Sequence, residues 1–247
     1  MPCVGFHCPG NPLLWRKIED CEACQERCLS IETLRWLWKA EFIDGAGHYH
    51  KDAKSISVTE TMGCLRQSYY NKTVNYAEEP KRFKARAWGT AIHKAREDAN
   101  QDGHSEVRLC VPLSAKYTLN GTADRLDDNV VLDYKTMDNP RKTYDEDNSY
   151  QLSVYDEMAG GANRVLLVLQ DGRRDEKVHE VHRTENALKT ACKRAEMLVW
   201  SLTNGTARNL EAEGEEKTFK FTKMTYCERC PHVVLCGIDI QKGEEDD

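Results

Sequence analysis

Asp124, Asp133 and Lys135 are the residues of this 247-residue chain whose types and spacing promise chemistry. They lie in GTADRLDDNVVLDYKT, residues 121–136, where one acid precedes a turn and an Asp-x-Lys follows it. Residues 130–134 are rich in β-branched and aromatic side chains, 117–123 read similarly, and Asp128 and Asn129 between them are turn material, so a hairpin is expected. With those two residues as the loop, Asp127 pairs with Val130, Leu126 with Val131, and Asp124 with Asp133. Side chains opposed in this way have Cβ atoms roughly 4.5–5.5 Å apart, and like charges there repel. A cation between them removes the conflict. Alternation along the strand puts Lys135 on the face of Asp133 and turns Tyr134 away. Two carboxylates for a hard cation with an ammonium beside them suit phosphodiester hydrolysis. A surface hairpin with a cross-strand Asp–Lys ion pair would use the same residues, and the hairpin alone does not separate the two readings.

The elements that must position these groups follow from composition and periodicity. A chain of this length with 40% hydrophobic residues can bury a full α/β core. No run approaches the roughly 18 apolar residues of a membrane span, and the N-terminus lacks a basic-then-apolar signal, so no membrane partner is expected. The expected location is the cytoplasm of a bacterial, archaeal or phage-infected cell. The net charge of −6 is unusual for a nucleic-acid binder, but four of those charges sit in the terminal residues 244–247, read as a solvated tail. Basic residues cluster at 81–86, at Arg173 and Arg174, and along 217–223, where they could meet phosphates or simply face solvent.

Ser57 and Glu60 have the spacing of a capping box, which predicts a helix carrying Cys64, Tyr69 and Tyr70. A helix from about 85 to 100 would bury Trp88, Ile92, Ala95 and Ala99, with His93 beside that stripe. After the hairpin come a helix with Gln151 and Tyr155 at i, i+4, strands at 164–170 and 176–183, and a helix from Thr184 to about Asn204 that Gly205 ends. Such alternation predicts an α/β fold, a mixed central β-sheet flanked by helices. An amphipathic helix from Ile31 to about Phe42 precedes it.

Eleven cysteines in a reducing compartment point to metal. Cys227, Cys230 and Cys236 form a C-x2-C-x5-C array lacking a fourth local ligand, and Cys64, at a helix head, is the candidate. Iron–sulfur and all-cysteine zinc both suit four thiolates. Cys8, Cys21, Cys24 and Cys28 form a second set with a zinc-knuckle C-x2-C, for which Cys3 or His7 could substitute. Cys110 and Cys192 read as small core residues.

Cys64, His93 in Gly89-Thr-Ala-Ile-His93, Asp124, Asp133-Tyr-Lys135, Gln151-x-x-x-Tyr155 and Cys227, Cys230 and Cys236 stand in one order. In that order they resemble RecB-like nucleases of the PD-(D/E)XK superfamily. The similarity is to the iron–sulfur branch, with its CRISPR-associated adaptation exonucleases and AddB-type nuclease domains, and covers roughly residues 55 to 237. It implies a restriction-endonuclease-like core over 51–238; residues 1–50 lie outside the resemblance and are read as a zinc-binding extension from their cysteine spacing alone, and 239–247 as an acidic tail from their charge. It implies Mg2+ or Mn2+ held by Asp124, Asp133, the Tyr134 carbonyl and His93, a residue that on its own reads as an ordinary helix-face histidine. It implies a catalytic part for Lys135, with Gln151 and Tyr155 reaching the same phosphate or Lys135. It also implies a [4Fe–4S] cluster on Cys64, Cys227, Cys230 and Cys236. The activity expected is that of a DNA exonuclease acting on single-stranded or duplex ends, with recombination, replication or CRISPR proteins as partners. An inactive nucleic-acid-binding or assembly subunit and a nicking endonuclease are the alternatives.

Overall fold

A computed structural model describes residues 3–8, 11–25, 28–39, 54–74, 76–78, 80–99, 104–127, 129–136, 146–161, 164–170, 176–207, 210 and 230. The central sheet is mixed and flanked by helices. Its long strand, β6 (Thr118–Asp127), pairs antiparallel with β5 (Ser105–Pro112) along one edge. On its other edge β6 meets first the parallel β3 (Ser55–Ser57) and then the antiparallel β7 (Val130–Thr136). The sheet continues through β8 (Arg164–Gln170), parallel to β7, to β9 (Glu176–Glu180), antiparallel to β8.

The sequence explains that order. β8 reads RVLLVLQ, with Val165, Leu167, Val168 and Leu169 all buried, as a strand covered on both sides must be. β9 reads EKVHE and lies at the edge, where charged side chains blunt further pairing. The parallel step from β7 to β8 needs a crossover, supplied by α6 (Glu146–Met158), which packs on the sheet under α7 (Ala187–Asn204). Gly205 closes α7 in the left-handed conformation, as the sequence predicts, although the helix begins at Ala187 rather than Thr184.

The capping box at Ser57 and Glu60 forms, but the helix it starts is short. It ends as α3 (Val58–Met62); after Gly63, Cys64 is the N-cap residue of a second helix, α4 (Leu65–Thr73).

The N-terminal section is joined to the core. β1 (Cys3–Cys8) and β2 (Asn11–Arg16) form a hairpin, and β1 also pairs in parallel with β4 (Tyr76–Glu78). Two short helices follow the hairpin, α1 (Ile18–Ala23) and α2 (Ile31–Trp38). Phe6, Leu34 and Leu37 bury themselves against Phe83 and Ala87 of α5 (Pro80–Ala99). Phe6 meets the Phe83 ring edge-on at 5.3 Å.

That core reorients α5. The expected buried stripe through Trp88 is wrong: Trp88 is 51% exposed, Ala95 and Ala99 are exposed, and Phe83 and Ala87 face inward. The helix therefore turns a basic-flanked phenylalanine into its cluster, and Arg86 covers that ring at 4.7 Å. Cys110 also departs from its expected place, since it is exposed; Cys192 is half-buried.

Candidate active site

Residues from four elements, β5, β6, α5 and α6, gather beside the Asp-x-Lys strand, β7. The turn register is the expected one, with Asp127 opposite Val130, Leu126 opposite Val131 and Arg125 opposite Leu132. The ladder then stops, one step short of an Asp124–Asp133 pair. Beyond it the Tyr134 N–H donates to Asp124 Oδ2 at 2.5 Å, so a carboxylate replaces the backbone carbonyl as acceptor. Asp124 is thus anchored at a fork between strands. It lies close enough to Asp133 for its charge to help raise the Asp133 pKa.

Asp133 is 3% exposed. Burial pushes its carboxyl up and Lys135 pulls it down, with the balance upward. Lys135 Nζ donates to Asp133 Oδ1 at 3.0 Å. The same ammonium stands 2.8 Å from Oδ2, an ion-pair distance, but Oδ2 receives no hydrogen bond. A metal ion binding at this oxygen would share it with the Lys135 ammonium.

From α5, His93 reaches the fork with both ring nitrogens. Nε2 is 3.1 Å from the Tyr134 carbonyl oxygen, and Nδ1 is 3.1 Å from Asp124 Oδ1. Asp124, by hydrogen bond above all, lifts the imidazole pKa above its ordinary value against the opposing effect of burial. A carbonyl at one ring nitrogen and a carboxylate at the other both favour the protonated imidazole.

Gln151 and Tyr155 sit on α6 and are both buried, with Gln151 Nε2 donating to the Tyr155 hydroxyl at 2.7 Å. Tyr155 feels the charges of Asp133, Lys135 and Asp124, although burial is the first cause of its raised pKa. The pair backs the Asp-x-Lys strand from the core. Gly121 admits it: a Cβ there would lie 2.5 Å from Tyr155 Cε1.

Two residues not singled out from sequence belong to the cleft. Arg96, one turn beyond His93, places its guanidinium 3.7 Å over the Tyr134 ring and is held by Gln170 and Glu176. Glu106 brings Oε1 to 3.8 Å from His93 Nδ1. The spacing of Arg96 from His93 on one helix was a usable signal. Glu106 carried none, since its proximity comes from cross-strand pairing. Among the described residues, His93, Glu106 and Asp124 are the group whose ligand atoms all lie within 4.8 Å of one another.

Cys64 and Cys230 are half-buried, and Cys227 and Cys236 lie outside the described residues. Cys21 and Cys24 are half-buried and Cys28 exposed.

A family model of the PD-(D/E)XK nuclease superfamily matches residues 95–237, more than half the chain. The chain belongs to the PD-(D/E)XK nuclease superfamily. The matched span of this nuclease contains Asp124, Asp133, Lys135, Gln151 and Tyr155 and begins just after His93. Among solved structures, the crystal structure of SSO0001 is similar with a TM-score of 0.58 and 17% identity, over 84% of this chain and 97% of that one. At that identity the likeness is one of fold. A Eubacterium rectale protein named "Putative exonuclease" aligns at 13% identity and a TM-score of 0.40, over 68% of this chain and 86% of that one. No curated protein matches the sequence.

Nucleases of this superfamily use divalent metals, and the donor set of this nuclease fits one: the carboxylates of Glu106 and Asp124 and the His93 imidazole can meet at one ion, with the Tyr134 carbonyl against the other ring nitrogen. No helix among the described residues is long and apolar enough to cross a membrane.

Proposed function

We propose that the chain is a Mg2+- or Mn2+-dependent DNA nuclease that degrades DNA from its ends, serving recombination, replication, repair or CRISPR adaptation. The observation that carries this reading is Asp133, a buried carboxylate with one oxygen short of a hydrogen bond, set beside Asp124 and Lys135. Asp124, Asp133, His93 and the Tyr134 carbonyl would hold the ion. A divalent cation held there would supply Lewis-acid chemistry, polarising a phosphate oxygen and acidifying a bound water.

Burial works against the Lys135 ammonium, but the charge and hydrogen bond of Asp133 hold its pKa above the ordinary lysine value. As an ammonium, Lys135 would stabilise charge on the phosphate. Tyr155 and Gln151 support that strand from behind and keep water from its buried face. Arg96 and Arg125 are among the residues lining the cleft and would meet a phosphate backbone passing it.

The reading includes a [4Fe–4S] cluster on Cys64, Cys227, Cys230 and Cys236, supported by the resemblance and by the chemistry of four thiolates. It also includes zinc on Cys8, Cys21, Cys24 and Cys28, supported by their spacing. The test is cleavage of end-labelled linear single- and double-stranded DNA, and of circular single strands, in Mn2+ and in chelator. Mn2+-dependent shortening of linear DNA alone is expected. Cleaved circles would make the protein a nicking endonuclease, and no cleavage a binding or assembly subunit.

A further inference from the structure

β5 enters the sheet through a backbone that residues with a Cβ rarely adopt: Glu106 has φ of 52°, in the left-handed region. The residue lies between two regular pairs, Ser105–Arg125 and Val107–Ala123, and so beside Asp124 of the neighbouring strand. Its Oε1 stands 3.8 Å from His93 Nδ1, and Asp124 Oδ1 stands 3.1 Å from the same nitrogen. On the adjoining strand, Asp133 Oδ2 receives no hydrogen bond and stands 2.8 Å from the Lys135 ammonium. Among the described residues, the ion pairs of Glu106, Asp124 and Asp133 are with Lys135 and His93 alone. Three carboxylates thus meet one permanent cation.

We infer that Glu106 is a direct ligand of the divalent cation and forms with His93 and Asp124 a three-residue cradle on the β5 side of the site. The inference rests on the reading of this cleft as a cation-dependent nuclease centre and adds to it a ligand from a third strand. Two carboxylates and one imidazole suit Mn2+, for which oxygen donors are adequate and a nitrogen donor adds selectivity over Mg2+.

The test uses the full chain, stripped with chelator and titrated with Mn2+, with free Mn2+ followed by electron paramagnetic resonance. Glu106→Gln is expected to weaken Mn2+ binding by about 10- to 100-fold, the loss typical when a metal site loses a supporting group. Glu106→Gly removes the same carboxylate and suits the left-handed backbone, so it reports even where the glutamine variant does not fold. It should show the same loss with an unreduced melting temperature. Wild-type Mn2+ affinity in either folded variant overturns the assignment. A wild type that binds Mn2+ through Glu106 but cleaves no DNA leaves the ligand in place and removes the nuclease reading. One that cleaves DNA while the variants keep full affinity does the opposite.

Discussion

Lys135 and Asp133 divide their work by charge. Because Lys135 acts in the chemical step, Lys135→Ala should lower kcat about 10²- to 10³-fold while DNA affinity, measured by fluorescence anisotropy, stays near that of wild type. Asp133→Asn should abolish Mn2+-dependent cleavage and lower the melting temperature in chelator, because it removes the charge that holds the Lys135 ammonium where burial opposes it. A melting temperature equal to that of wild type would mean that Asp124 compensates Lys135 in its place. The same groups set a pH dependence. Asp133, Glu106 and His93 all have folded pKa values raised above their ordinary ones. In each case the folded state binds more protons than the unfolded one, so each contribution to stability is full below the unfolded pKa and is lost as pH rises through the folded one. For the acids that window opens near about pH 4 and for the histidine near about pH 6.5. Melting in chelator should therefore show these groups adding stability as pH is lowered from 8 toward 6. Saturating Mn2+ should remove that trend, since the ion takes the place of the protons. His93→Gln should flatten the upper part of the window.

Gly121 links β6 to α6 by what it lacks. Gly121→Ala sets a methyl group against the Tyr155 ring and the Val58 side chain, and should cost about 1–3 kcal/mol in denaturant unfolding. Pairing it with Tyr155→Ala should cost less than the sum of the two, because the clash then has no second party. The hairpin, β8 and the crossover helix were legible in the sequence because their signals are local: period-2 alternation, an apolar run and an i, i+4 pair. The orientation of α5 was not. Its inward face is decided by Phe6, Leu34 and Leu37, whose approach depends on the parallel pairing of β1 with β4, and no window along the helix contains that information. Glu106 escaped notice for the same reason. It reaches the site through an adjacent strand and an unusual φ, whereas Asp124, Asp133 and Lys135 share one short hairpin. The end of the ladder at Arg125–Leu132 was equally silent, because the alternating residues continue as though the pairing did.

At the scale of the molecule, Cys64 stands at the break between α3 and α4, far in sequence from the terminal cysteines. On the proposed [4Fe–4S] reading, anaerobically purified wild type should be brown with broad absorbance near about 400 nm, and Cys64→Ala should bleach it while leaving N-terminal zinc in place. Colourless wild type with two zinc ions per chain would remove the iron–sulfur assignment. Phe6→Ala should cost about 3–5 kcal/mol and also weaken Mn2+ binding, since Phe6 packs on Phe83 of the helix that delivers His93. Unchanged Mn2+ affinity in that variant would mean that α5 is held by other contacts. The β1–β4 pairing also carries a kinetic consequence. β5, β6 and β7 are joined by short connections and can zip together early, whereas β1 must close a loop of about 70 residues before it finds β4, and such closures are slow. In a chain refolding from denaturant, Asp124 and Asp133 should come together first and His93 arrive afterwards. A nuclease built in that order passes through an interval in which its acids are assembled but its metal is poorly held, and the slow docking of an N-terminal strand becomes the step that arms it.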